Sequence, residues 1–129
     1  MNNEQLIKKY PKIFKINKPA QNPLDQRGIE FGAGWLNLLD ILCYIIQWHV
    51  DANKKPQPTL AQAKEKMSKM TTYWDNTDEY IDGLICMAES LSYSICEYCG
   101  TNQNVSQNKK GWIKTLCKDC RNKTESIDG

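Results

Sequence analysis

Apolar side chains recur along the chain with two periods. From Trp35 onward, Trp35, Leu38, Leu39, Leu42, Ile45, Ile46 and His49 follow a 3.6-residue repeat, with Asn37, Asp40, Tyr44, Gln47 and Asp51 on the opposite stripe. Leu36, Ile41, Cys43, Trp48 and Val50 widen the apolar arc, which predicts the central core helix. Asn53 to Pro58, with two prolines, reads as a linker. Thr59 to Ser68 is helical in composition, but Met70 to Trp74 is β-branched and aromatic, and the pair is read as a β-hairpin. A second long helix is expected from Asn76-Thr-Asp-Glu79, a capping-box sequence, with Ile81, Leu84, Ile85, Ala88, Leu91, Ser92 and Ile95 on one face. Asp78, Glu79 and Asp82 suit the positive end of its dipole, and Gly83 weakens it by about 1 kcal/mol while allowing close packing. Upstream, a short helix over Asn3 to Lys9 is broken at Pro11, and irregular chain follows, punctuated by Pro19, Pro23 and Gly28.

Charge changes this picture modestly. Residues 1–20 carry five lysines against Glu4, residues 21–95 are net acidic, and residues 96–129 are again slightly basic, for a net charge of +2 over 129 residues. That balance argues against a polybasic nucleic-acid coat. With 40% hydrophobic and 25% charged residues the chain is too apolar to be wholly disordered. Its first ten residues lack the apolar stretch of a secretory signal, and the run from Trp35 to Val50 is shorter than the ~20 residues a membrane span needs. A cytoplasmic protein that engages no membrane is expected, in which thiols stay reduced.

The six cysteines are therefore read as ligands or core residues rather than disulfides. Cys96-Glu-Tyr-Cys99-Gly100 is followed after 17 residues by Cys117-Lys-Asp-Cys120, the spacing of a zinc site. Each CxxC turn places two sulfurs on one side of a tight bend, so two turns complete a tetrahedron with Zn–S distances of about 2.3 Å. Four thiolates leave no open position, which makes one Zn²⁺ per chain structural rather than catalytic. Lys110 to Leu116 reads as the return strand of a small hairpin, and Lys109, Lys110, Lys114, Lys118 and Arg121 offset the thiolate charge. Cys43 and Cys86 fall in helical apolar patterns and are expected as buried small hydrophobes.

No catalytic pattern stands beside this. There is no HxE deaminase arrangement, GxSxG, P-loop or HExxH, and His49 is the only histidine, placed on an apolar helix face as a hydrogen-bonded core residue. One other constellation has binding chemistry. Gly28, Gly32 and Gly34 precede the central helix, and a glycine-rich entry to a helix N-terminus offers free amides to an anion. Arg27 and Trp35, with Phe31, add charge and a stacking surface, while Glu30 suits a ribose or one of the lysines Lys64 and Lys66. No strand or βαβ unit is evident around these glycines, so the dinucleotide fingerprint does not apply, and a tight loop serving packing alone is the competing reading.

Several segments together carry a likeness: Lys8 to Phe14, Gly-x-Glu-x-Gly-x-Gly-Trp over Gly28 to Trp35, Lys-Glu-Lys at Lys64 to Lys66, Ala88 to Ser92, and the terminal Cys-x-x-Cys-Gly … Gly-Trp-Ile-Lys-Thr-Leu-Cys-x-x-Cys. On these the chain resembles a widespread group of small tailed-bacteriophage accessory proteins. In that group Lys-Glu-Lys is usually followed by Phe-Gly-x-Leu-Arg-Phe-Tyr, whereas this chain has Met67-Ser-Lys-Met-Thr-Thr-Tyr73, without the glycine or the arginine. The position before Gly34, commonly acidic in the group, is Ala33. The resemblance implies a non-enzymatic protein that counters host defence by sequestering a phosphate-bearing, nucleotide-type signal. The alternative is a zinc-ribbon module that binds nucleic acid or a host protein through its lysines, Arg121 and the basic N-terminal arm. A sequestering role is often built on a homo-oligomer, whose symmetry the sequence does not specify. The expected architecture is α+β: residues 1–95 as a core of two main helices packed on a small antiparallel hairpin or sheet, and residues 96–129 as a zinc ribbon at the end of the second helix.

Overall fold

The first turn is capped as its residues dictate. Asn2 accepts from the Gln5 amide and Gln5 reaches back to the Asn2 amide, which starts helix α1, Asn3–Lys9. Pro11 then opens a second turn, α2, Pro11–Phe14, because its fixed φ suits the first helical position. In this computed structural model, which describes residues 1–15 and 28–128 with side chains to Thr124, the remaining elements run in sequence. They are β1 (Ile29–Glu30), α3 (Leu36–Asn53), β2 (Thr59–Lys66), β3 (Lys69–Asp75), α4 (Glu79–Leu91), β4 (Val105–Gln107), β5 (Thr115–Cys117) and α5 (Lys118–Asp128). Single 3₁₀ turns at Ala33–Trp35 and Ser92–Ser94 lead into α3 and out of α4. The α+β class is as the periodicity predicts.

The hairpin reading of residues 59–75 holds: β2 and β3 pair antiparallel, Lys66 opposite Lys69, around a two-residue turn at Met67 and Ser68. Both turn residues have positive φ, 53° and 71°, the left-handed backbone that a tight hairpin turn demands and that glycine adopts most easily. Ser68 thus stands where the resembling proteins have their glycine, and the Glu65 carboxylate accepts from its amide at 2.9 Å.

Around the glycine segment the sequence reading needs correction. Ile29 and Glu30 form a short strand parallel to β2, in register with Ala63 and Lys64, and α3 makes the crossover. A βαβ unit is therefore present, and the sheet is mixed rather than antiparallel. Two side-chain pairings are too few to show as alternation in a sequence.

The core lies where α3 and α4 pack side by side, with α4 against β3, α2 against β2 and α1 against α3. Leu6, Ile13, Trp35, Leu39, Ile46, Met70 and Ile81 are fully buried. Each such side chain contributes about 1.5–3 kcal/mol by leaving water. The α3 arc is narrower than expected, since Ile41 and Trp48 join Tyr44 of the polar stripe in one exposed ridge and Trp48 keeps 58% of its surface in solvent. The face of α3 that no other described element covers stays open, whatever residues occupy it.

In α4 the N-cap is Asp78, which accepts from the Ile81 amide at 2.8 Å; Asn76 instead takes a left-handed conformation (φ 64°) that turns the chain out of β3. Gly83 has no neighbour within 4 Å of an added Cβ, so it serves no close packing. Cys43 is buried as expected, but Cys86 is exposed. His49 is buried: Nε2 lies 2.9 Å from the Asp78 carboxylate, Nδ1 lies 3.2 Å from the Asn53 amide nitrogen, and Tyr80 stacks on the ring at 4.1 Å. These bonds tie α3 to the start of α4, and with the Ile81 amide they hold the Asp78 carboxyl below the usual carboxylate range.

Candidate metal centre and the groove beside it

Four local devices converge on one point. Cys96 and Cys99 lie on a tight turn after α4, closed by the Gly100 amide on the Cys96 carbonyl and the Cys96 amide on the Thr101 carbonyl, both at 2.9 Å. Cys117 ends β5, and Cys120 sits in the first turn of α5, its amide 3.4 Å from the Cys117 sulfur. All four sulfurs lie within 4.8 Å of one another. A tetrahedron of sulfurs at 2.3 Å from a central ion has edges of about 3.8 Å; Cys99 Sγ and Cys117 Sγ are 3.7 Å apart. The four cysteines that the spacing singled out are therefore grouped as a structural metal site requires.

The thiols carry the same message in their acidity. Burial works to raise Cys96, but amides of Cys117, Cys99 and Tyr98 and the Cys120 thiol bring it down to about 7. Burial and the three facing cysteines push Cys120 up to about 12. The Thr101 amide favours the Cys99 thiolate, yet burial and its Cys117 and Cys96 neighbours raise it overall. Cys96 ionises readily here while Cys99 and Cys120 resist it; a divalent cation is the group that favours thiolates gathered so closely.

The cluster is anchored to the core by the glycine segment. Gly34 N–H donates to the Glu97 carbonyl at 2.8 Å, and Gly32 N–H donates to the Glu97 carboxylate at 3.0 Å. The second carboxylate oxygen of Glu97, which is 2% exposed, lies 3.2 Å from the Lys114 ammonium. A Cβ on Gly32 would come within 2.5 Å of the Glu97 carbonyl oxygen, and one on Gly34 within 2.6 Å of the same atom and of the Gly100 nitrogen. Trp35 is fully buried and its indole donates to the Ile95 carbonyl at 2.8 Å. The loop does offer an amide to an anion, that of Gly32, but the anion is the chain's own Glu97 carboxylate.

The other residues assigned to a ligand on that loop are placed differently. Gly28 pairs through its carbonyl with the Ala63 amide. Glu30 accepts from the Gln62 side chain at 3.2 Å, and Lys64 lies 5.6 Å from the centre of the Tyr73 ring. Lys66 is exposed at the end of β2, and Arg27 lies outside the described residues. Gly32, Gly34 and Trp35 face the cysteine turn, whereas Glu30, Lys64 and Lys66 sit along the sheet.

Beside the cysteines the structure opens a groove of about 630 Å³, within the usual range for ligand clefts. Tyr98, Lys109, Lys110, Trp112, Lys114 and Arg121 line it, and none of the described residues that line it is acidic. Its outer wall is the loop after β4. The Asn108 side chain donates to the carbonyls of Lys110 (2.7 Å) and Trp112 (2.8 Å) and accepts from the Lys114 amide at 2.6 Å. Arg121 buttresses the floor, donating to the Ser106 carbonyl at 2.6 Å. Lys118 points elsewhere, into a smaller depression over the cysteines shared with Lys123. The lysines were legible as a basic cluster. The role of Glu97 and the placement of Tyr98 and Trp112 on one groove were not; the signal available was aromatic residues interleaved with lysines.

Comparison with protein-family models, with curated proteins and with solved structures found no match. Fold and site define a small α+β protein with a four-cysteine cluster and a basic, aromatic groove beside it. No helix among the described residues is long and apolar enough to cross a membrane.

Proposed function

We propose that this is a non-enzymatic binding protein in which the cysteine quartet holds one structural Zn²⁺ per chain and the adjacent groove recognises a phosphate-bearing, nucleotide-type ligand. Four thiolates in tetrahedral array favour zinc among the available divalent ions, an iron–sulfur centre being the competitor. The observation that carries the recognition reading is the groove: cations and exposed rings, with no carboxylate among its described lining residues, on a wall held by Asn108. A closed coordination shell and a lone histidine engaged in an interhelical bond support binding over turnover.

Sequestration of a free nucleotide signal and capture of a nucleic acid both use this chemistry, and the role against host defence implied by the phage resemblance would be exerted through either. With the amides of Gly32 and Gly34 committed to Glu97, the reading moves from the glycine loop to the ribbon. The test is calorimetric titration of the purified protein, before and after chelation, with a panel of cyclic and ADP-ribose-type nucleotides and with short oligonucleotides. Elemental analysis should return one zinc per chain in colourless protein, and binding of at least one class should disappear with the metal. Iron with visible absorption would replace the zinc assignment. Absence of binding to every member of both classes would overturn the recognition reading.

A further inference from the structure

Trp112 is the most exposed tryptophan whose setting the structure explains. It keeps 76% of its surface in solvent, with Ile113 beside it, in a loop that Asn108 holds by three hydrogen bonds. Leaving a large ring in water forgoes the gain of burial, and a floppy loop would fold it back. Here the ring is displayed on a preorganised support. Tyr98 offers a second ring on the same groove, 43% exposed, with the Lys114 ammonium 5.7 Å from its centre. The exposed lysines Lys109 and Lys110 line the same groove. The nearby carboxylate of Glu97 is buried and already paired with Lys114, so it does not repel a polyanion.

We infer that this groove binds single-stranded nucleic acid, with unpaired bases stacking on Trp112 and Tyr98 and the backbone passing Lys109 and Lys110. The inference rests on the reading of the ribbon as the recognition surface and narrows its ligand. Two features favour a single strand over a duplex. Stacking on a ring needs a base whose face is free, which a duplex does not offer without unstacking. The charge is also small: Lys114 is shared with Glu97, Arg121 is spent on backbone carbonyls, and the whole chain carries only +2. Duplex binding draws most of its strength from phosphate neutralisation, whereas stacking adds affinity base by base without it.

The experiment is fluorescence anisotropy with labelled oligo-dT and oligo-U and with a duplex of equal length, on metal-loaded full-length protein over a salt series. Wild type, W112A, W112F and K109A/K110A are compared, each shown by elemental analysis to retain its metal. The single strands should bind more tightly than the duplex. W112A should weaken single-strand binding about 10-fold or more without changing the salt dependence, and W112F should restore most of it. K109A/K110A should lower the log–log salt slope by about 1.4, near 0.7 for each phosphate that a lysine no longer neutralises. If W112A binds as wild type, or the duplex binds as well as the single strand, stacking is refuted. A continuing effect of K109A/K110A would in that case leave the ribbon reading standing. If no oligonucleotide binds wild type, the inference fails, and the nucleotide panel decides whether the broader reading fails with it.

Discussion

Replacing Gly34 by alanine tests the claim that the glycine segment exists to let the cysteine turn dock. The new methyl group would press on the Cys96 carbonyl and lie 2.6 Å from both the Glu97 carbonyl oxygen and the Gly100 nitrogen. All of these are backbone atoms of a turn locked by its own hydrogen bonds, so no flexible side chain can swing away. Forcing an extra carbon into such a contact costs about 1–3 kcal/mol, and the turn can retreat only by losing the Gly34–Glu97 bond, worth about 0.5–1.5 kcal/mol net. Together these give about 2–4 kcal/mol. With a urea m-value near 2 kcal/mol/M, the midpoint should fall by roughly 1–2 M. Equilibrium unfolding of the metal-loaded protein, followed by far-ultraviolet circular dichroism, reads this directly. Gly83 supplies the contrast: it lies inside α4 with nothing within 4 Å, so Gly83→Ala should stabilise by about 0.5–1 kcal/mol. A Gly34→Ala midpoint indistinguishable from wild type would refute the docking argument.

Further outcomes follow from the same contacts. Chelation should expose the amides of residues 96–124 to hydrogen exchange while those of α3 and the β2–β3 pair stay protected, because among the described residues the cysteine cluster has only Leu116, Val105 and its own sulfurs as an apolar centre; equal loss of protection in α3 would contradict it. Ser68→Gly should raise stability by about 0.5–1 kcal/mol, since φ of 71° strains a serine and suits a glycine; thermal melts showing a decrease would show that the Ser68 hydroxyl outweighs the strain. Because His49 and the Ile81 amide lower the folded pKa of Asp78, its contribution is complete above the ordinary carboxylate pKa of about 3.9 and is lost as pH falls through the folded value. The stability difference between wild type and Asp78→Asn should therefore shrink as pH falls below about 4, and a difference that does not vary there would remove the argument.

The elements readable in the sequence are those whose information is local. Helix α3 follows from the spacing of Leu38, Leu39, Leu42 and Ile46, α1 from the short stretch of Asn3 to Lys9 broken at Pro11, and the metal site from two CxxC spacings, since each turn presents its sulfurs by itself. The hairpin was legible at Met70 to Trp74, although the glycine usual at its turn is missing. Misreadings arose where a neighbour decides. Asn76 and Asp78 are both good caps, and only the path out of β3 selects Asp78. Ile41, Trp48 and Cys86 look like core residues, and only the placement of the surrounding elements leaves them in solvent.

The candidate site divides along the same line. Residue order alone determined that four thiols would gather, because chemistry at i and i+3 is set by one turn, and that a glycine-rich entry would precede a long helix. What occupies that entry was decided only in three dimensions. Glu97 is 65 residues from Gly32, and nothing in a local pattern says that its carboxylate, rather than a ligand's phosphate, will take the amide. Likewise Tyr98 and Trp112 become one groove only when the cysteine cluster folds the intervening chain back on itself. Side-chain chemistry is written residue by residue, whereas who meets whom is settled by the packing of segments far apart in the chain.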